Sequence, residues 1–316
     1  FTTSERVQKE LEEYEENNNP ILLFLHGGPG VCNRHTVMTT NNDLLDAFTI
    51  VAWDQRGSGG SYSNCDVNTL TIDQMVSDAN ELVNWLCKEF KKEKIFIIGG
   101  SWGSELGTWL AYRHPEHLGA YVGFGQVVNG AENERLSYEF ALEQAKAHND
   151  EKSLEILAKI GEPVNGVYKG GFDGMMAQRR VMMKYGGYSQ NEKKRSYFQA
   201  MVVPILASKE YSLSELIGYI KGYKFVLKKM WPEVGATDLT KTCTQFKIPM
   251  FIFDGKLDMN TPASLVQNYF DLIEAPQKEL IWFENSGHNP LSDEPKRFKS
   301  LLRKYLLDIA AKEKGL

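Results

Sequence analysis

"IIGGSWGSELG", residues 97–107, sets a single serine between two glycines at the end of an apolar run. Upstream, "KIFIIGG" (94–100) has the unbroken apolar character of a parallel strand buried on both faces. Downstream, "SELGTWLAYRHP" (104–115) places Leu106, Trp109 and Leu110 at helical spacing and stops at Pro115. Strand, sharp turn and helix are the setting in which Gly99-x-Ser101-x-Gly103 reads as a nucleophile elbow, which lifts a serine hydroxyl above the sheet in a strained backbone conformation. Glycine is needed on either side because a Cβ there would meet the neighbouring strand or helix as the chain reverses. Without those flanks the same five residues would be an ordinary turn.

Working outward, further strands are predicted at "ILLFL" within "ILLFLHGGPG" (21–30), "FTIVAWD" (48–54), "GAYVGFGQ" (119–126), "IPMFIFDG" (248–255) and "KELIWFENSG" (278–287). Helical spacing through Ile72, Met75, Ala79, Leu82, Val83 and Leu86 separates the second from the third. Strands alternating with helices imply an α/β fold with a doubly wound, mostly parallel sheet. Residues 127–245 break that rhythm: they are polar, helical and rich in Met, Lys and Tyr, and too long for a loop. The expected organisation is a core of residues 1–126 and 246–316 with a helical cap inserted at 127–245. Met175, Met176, Met182, Met183, Tyr185 and Tyr188 in that cap read first as packing. Residues 5–19, ahead of the first strand, are acidic and polar.

The 316 residues are ample for a large core, and 42% hydrophobic and 24% charged residues with a net charge of −5 are ordinary for a globular chain. That balance offers nucleic acid no basic surface. Cys32, Cys65, Cys87 and Cys243 lie far apart without a CxxC pair, which predicts free thiols and neither a zinc site nor a disulfide framework. No run approaches the roughly 18 apolar residues of a membrane helix. A cytoplasmic location is the expectation, with the start at Phe1 leaving room for a trimmed leader.

A serine hydroxyl becomes a competent nucleophile only beside an imidazole whose tautomer a carboxylate fixes. With an elbow serine the expected chain order is Ser, then Asp or Glu, then His, the last two on loops after late strands. Of six histidines only His288, in "WFENSGHNP" (282–290), follows a late strand, and it is the expected base. His114 and His117 flank Pro115, His148 lies in a polar turn, His26 is placed to brace the glycine loop behind it, and His35 has no assigned role. "FIFDGKLDMNTP" (251–262) offers two acids: Asp254 ends the strand, whereas Asp258 lies in a loop able to turn back towards His288, so Asp258 is preferred. Either could instead cap the helix that starts near Pro262. The oxyanion formed on attack needs two donors, the Trp102 amide and one from "HGGPG" (26–30), where Gly28 is preferred with Gly27 beside it.

"HGGPG" (26–30), "WDQRGSGGSYS" (53–63), "GGSWG" (99–103), "GKLDMNTP" (255–262) and "ENSGHNP" (284–290), in this order, resemble the prolyl aminopeptidase-like branch of the α/β-hydrolases. The resemblance spans most of the core and implies Ser101 as nucleophile, Asp258 as acid, His288 as base, and Gly28 and Trp102 around the oxyanion. It also implies a structural role for Asp54, Gln55 and Arg56 beneath the site. Three features depart from that pattern. Only some twenty residues precede "HGGPG", where the family places a further pair of strands. Gly100 stands where relatives often have histidine. The cap opens "GQVVNGAENERLSYEF" (125–140), without the family's tryptophan-rich start, although Glu132, Glu134 and Glu139 offer carboxylates to a substrate amine.

The expected activity is a serine hydrolase without metal or cofactor, forming an acyl-enzyme from a small ester or amide, with a small molecule or short peptide as substrate. A prolyl aminopeptidase-like peptidase, using Glu132 or Glu134 to read an amine, stands against a carboxylesterase needing only an apolar pocket. A non-catalytic ligand-binding homologue is the reading from another class. Aspartate-nucleophile relatives, dehalogenases and epoxide hydrolases, are disfavoured by the serine.

Overall fold

The computed structural model describes residues 18–63, 65–189, 205 and 210–313. Most of the acidic segment at 5–19, and a stretch of the expected cap from 190 on, lie outside the described residues.

Six strands form one parallel sheet: β1 (Ile21–Leu25), β2 (Thr49–Ala52), β3 (Ile95–Gly100), β4 (Leu118–Phe124), β5 (Met250–Gly255) and β6 (Lys278–Phe283), in the order β2-β1-β3-β4-β5-β6. The strand β1 shows why an unbroken apolar run was needed. Ile21, Leu23 and Leu25 point into one core and Leu22 and Phe24 into the other, all at most 3% exposed, so a polar residue anywhere along it would enter one core or the other.

The helices are α1 (Arg34–Thr40), α2 (Ile72–Glu89), α3 (Trp102–Arg113), α4 (Gly130–Ala147), α5 (Glu151–Ile160), α6 (Phe172–Lys184), α7 (Leu213–Ala236), α8 (Leu239–Thr242), α9 (Ala263–Leu272), α10 (Pro290–Asp293) and α11 (Pro295–Glu313). One sheet face is covered by α2 and α3, with Met75, Ala79, Val83 and Leu86 of α2 completely or almost completely buried. On the other, α11 presents Phe298, Leu302, Leu306 and Ile309 along one stripe. Thr71 caps α2 by accepting the Gln74 N–H, and Ser212 with Glu215 closes a capping box on α7.

Between β4 and β5 the chain runs through α4 to α8. Tyr138, Ala141, Leu157, Val181 and Met182 make a third apolar cluster there. The helix α7 ties this cluster to the sheet: Leu227 belongs to it, while Val226, Met230 and Val234 enter the α2–α3 core. No helix among the described residues is long and apolar enough to cross a membrane.

The parallel register brings the carboxyl ends of the strands to one edge, with Leu25 beside Gly99 and Gly100 beside Phe124. From β1 the chain crosses one way to β2 and then back the other way to β3, so a crevice opens between the ends of β1 and β3. The glycine loop after Leu25 and Ser101 after Gly100 both stand at that crevice.

Candidate functional site

Ser101 has φ 56° and ψ −127°, a region a residue with a Cβ adopts only under strain of order 1–3 kcal/mol. The flanking glycines permit the turn. A Cβ on Gly99 would lie 2.1 Å from the Gly103 carbonyl oxygen, and one on Gly103 would lie 2.0 Å from that of Leu25, so helix, strand and elbow touch backbone to backbone. The departure at Gly100 has an equally local cause: a side chain there would lie 2.4 Å from the Phe124 ring, which fills the space.

Trp102 opens α3, so its main-chain N–H has no acceptor within the helix. Its indole is anchored below the site, donating from Nε1 to Gln55 Oε1 at 2.9 Å. Gln55 is held in turn through its own Nε2 to the His26 carbonyl and its N–H to His26 Nε2, at 3.0 and 3.1 Å. Burial lowers the pKa of His26, against the opposing pull of the Gly27 carbonyl and Asp54, so the ring serves as a neutral brace. Asp54 accepts the Gly60 N–H, and Arg56 grips Asp78 through two 2.6 Å bonds. Gly27 and Gly28 stand across from the serine; a Cβ on Gly27 would be 3.2 Å from that of Ser101.

The two aspartates of the β5 loop have separate tasks. Asp254 accepts the N–H groups of Gly125, Gln126 and Gly255 at 2.9–3.1 Å and so clamps the end of β4 to β5. Burial and the charge of Asp258 push its pKa up. Asp258 accepts the N–H groups of Asn260 and Thr261 on Oδ1, and on Oδ2 it takes the Thr261 hydroxyl and His288 Nδ1, the last at 2.8 Å. A carboxylate only accepts, so His288 carries its proton on Nδ1 and presents a lone pair at Nε2. That lone pair receives Asn260 Nδ2 at 3.1 Å. Among the described residues Ser101 Oγ makes no hydrogen bond.

Ser101 and His288 each contact the end of β4, on consecutive residues. The Ser101 N–H donates to the Phe124 carbonyl at 3.0 Å, and the next residue, Gly125, lies so close to His288 that a Cβ would fall 2.7 Å from its ring. The chain after α6 closes the far side. Tyr188 sets its ring, tilted by 48°, 4.9 Å from the imidazole and accepts the His288 N–H on its carbonyl, while Gly187 accepts that of Met259.

A cavity of about 850 Å³ opens over Ser101, bounded by Gly28, Trp102, Asn260 and the block between β4 and β5. Met175, Met176 and Met183 line it, as do Glu134 and Arg179. The sequence-predicted Glu132 lies elsewhere. It pairs with Arg135, 39% exposed, on the outer face of α4 with Glu139. Arg135, three residues after Glu132 and four before Glu139, was the available signal of a solvated salt-bridge face. Glu134 faces inward but is not free: Arg179 holds both its carboxylate oxygens, through Nη1 at 2.9 Å and Nη2 at 2.5 Å. Burial alone would lower the Arg179 guanidinium, but Glu134 more than offsets this and holds it above its ordinary value.

His35, unassigned from sequence, also lines the cavity, with burial pulling its pKa down to about 4 against Asp54 and with Arg34 in support. Sequence reasoning missed Gln55 as the holder of Trp102, Tyr188 on the imidazole, and Asn260 at Nε2. The first had a signal in the "DQRG" block; the other two are contacts across loops with no periodicity to report them.

A parallel six-stranded sheet carrying an elbow serine, with an aspartate–histidine pair on the loops after its last two strands, defines an α/β-hydrolase arrangement. The alpha/beta hydrolase fold family matches residues 20–156. The chain is 30% identical to a probable aminopeptidase, YbaC, of Bacillus subtilis (strain 168), over 91% of this chain and 89% of that one. It is 35% identical to a proline iminopeptidase of Neisseria gonorrhoeae over 112 residues, 34% of each chain. The crystal structure of a proline iminopeptidase of Mycobacterium smegmatis superposes with a TM-score of 0.59 at 17% identity, covering 93% of this chain and 90% of that one. The chain belongs to the α/β-hydrolase family, in its prolyl aminopeptidase-like branch.

Proposed function

We propose that this protein is a serine hydrolase that forms an acyl-enzyme at Ser101 from a small amide or ester bound in the cavity. The observation that carries the reading is the 2.8 Å bond from His288 Nδ1 to Asp258, on loops that bring the imidazole against the turn beside an elbow serine. His288 takes the Ser101 proton at Nε2 as Oγ adds to the carbonyl carbon, and Asp258 steadies the imidazolium. The developing oxyanion faces the main-chain N–H groups of Trp102 and Gly28, the positions the elbow and the glycine loop make available. The imidazolium then protonates the leaving amine or alcohol, and water, deprotonated by the same nitrogen, releases the acid.

The segment 127–245 acts in this reading as a cap over the cavity, and short peptides with a free amino end are the first substrate class, as the probable aminopeptidase relative suggests. One observation favours the carboxylesterase as a second reading: the inward carboxylate, Glu134, is already neutralised by Arg179, and Glu132 faces outward. Of the two carboxylates expected to read an amine, neither is therefore both inward and unpaired among the described residues.

A panel of amino-acid arylamides, including proline β-naphthylamide, beside p-nitrophenyl acetate and butyrate tests both. Turnover of the arylamides supports the peptidase; turnover of the esters alone supports the esterase. Ser101→Ala is expected to lower either activity by about 10⁴-fold or more with the fold intact. An unchanged rate in that variant would overturn the whole reading.

A further inference from the structure

His288 Nε2 offers one acceptor lone pair, and in the structure it is already taken. Asn260 Nδ2 occupies it at 3.1 Å. The orientation of that carboxamide follows from its partner: with Nδ1 protonated towards Asp258, only a donor satisfies Nε2, so the amide nitrogen and not its oxygen faces the ring.

The main chain of Asn260 is pinned on both sides. Its N–H donates to Asp258 Oδ1 at 2.7 Å, and its carbonyl accepts from Asn133 Nδ2, also at 2.7 Å. Asn133 sits on α4, next to Glu134, and lines the same cavity. Its own Oδ1 is buried and has no hydrogen-bond partner among the described residues. With the backbone fixed, the side-chain torsions of Asn260 are the freedom left by which its amide can leave the imidazole. Asn260 itself lines the cavity, so a ligand there has direct access to it.

We propose that Asn260 is a positioning residue that caps His288 Nε2 in the free enzyme and must release it before Ser101 can react. The inference rests on the serine hydrolase reading above. In the reacting state the Ser101 O–H proton moves to Nε2, the oxygen lone pair forms the bond to the substrate carbonyl carbon, and the carbonyl π electrons move to its oxygen. The same lone pair cannot accept the serine hydroxyl at full strength while it accepts Asn260. The cap has two effects: it holds the imidazole in the tautomer and plane set by Asp258, and it keeps the serine unactivated until the cavity is filled.

Two measurements test this. The first is the second-order rate at which diisopropyl fluorophosphate, an uncharged probe, phosphorylates Ser101 with loss of fluoride, in the wild type, Asn260→Ala and Asn260→Leu. The leucine keeps the volume and removes the donor. Both variants are expected to react about fivefold faster, the equivalent of one hydrogen bond of average net strength; rates equal to or below the wild type overturn the cap. The second is the His288 Nε2 resonance in protein labelled with ¹⁵N-histidine. It is expected to move in Asn260→Ala and to stay in place in Ser101→Ala. The opposite pattern, a shift with Ser101→Ala and none with Asn260→Ala, would mean that the serine already holds the nitrogen, and would overturn the proposal even if one variant folds poorly. A wild-type protein that diisopropyl fluorophosphate does not label defeats the hydrolase reading, and the resonance then decides the Asn260 contact alone.

Discussion

The sheet and the block between β4 and β5 bury their interiors in opposite ways. Along β1 five consecutive side chains are apolar and at most 3% exposed, and His26, Ser101, Asp258 and His288 stand beyond the carboxyl ends of the strands. In the block, polar and charged groups lie inside the packing: Glu134, Arg179, Gln178, Asn133 and Ser137 are all buried. Gln178 donates to the carbonyl and hydroxyl oxygens of Ser137, and Arg179 to Glu134. The sheet thus gives rigid placement from apolar packing, while the block gives a wall whose chemistry depends on pairs of residues. On the proposed function, bond breaking belongs to the first and choice of substrate to the second.

That division can be broken at several points. The largest expected effect is on the sheet side. Asp258→Asn should lower turnover by about 10⁴-fold with little change in substrate affinity, because the imidazole loses its fixed tautomer. A mainly KM effect in steady-state kinetics would move Asp258 out of the chemistry and into binding.

Next comes the ion pair of the block. Arg179→Ala leaves a buried carboxylate alone and should cost about 3–5 kcal/mol in urea unfolding, whereas replacing both partners, Glu134→Leu with Arg179→Met, should recover most of it. If the double variant is as unstable as the single one, the pair is held for more than mutual neutralisation. Comparing the same variants on the substrate panel sharpens the contrast, since selectivity should change while the rate of Ser101 labelling by diisopropyl fluorophosphate does not.

The smallest effect concerns Glu105 of α3, fully buried where α3 meets the end of α7, with the Thr237 hydroxyl donating to Oε1 at 2.7 Å. Burial raises its pKa from 4.5 to about 8, against the hydrogen bond from Thr237. The folded protein therefore keeps a proton that the unfolded chain releases above about pH 4.5. Stability should fall as pH rises through that window up to about 8, and Glu105→Gln, which cannot ionise, should flatten the decline by a few kcal/mol. Parallel urea titrations of both proteins at pH 5 and 8 measure it; identical slopes would show that Glu105 ionises freely.

The sequence made the sheet legible because its inner strands are apolar runs that no solvent-facing segment would carry, and the elbow because two glycines flank one serine between a strand and a helix. Asp258 could be preferred over Asp254 from position alone; in the structure Asp258 contacts the imidazole and Asp254 clamps backbone N–H groups. The block was less legible. Glu132 and Glu134 are two residues apart and look alike as text, yet helical phase sends one to solvent and the other into the cavity. Arg179 lies 45 residues beyond Glu134, and no pattern in either segment announces that they will meet. Asn260 was visible only as part of a loop, since a carboxamide has no signature until its partner is known.

The backbone contact between Tyr188 and His288 has a consequence for how the imidazole is seated. The carbonyl that receives the His288 N–H, at 2.6 Å, belongs to the stretch inserted between β4 and β5, while the histidine arrives only after β6. The imidazole can therefore be seated by this bond only when the stretch between β4 and β5 and the chain beyond β6 are both in place, so loosening either one frees the ring from the other.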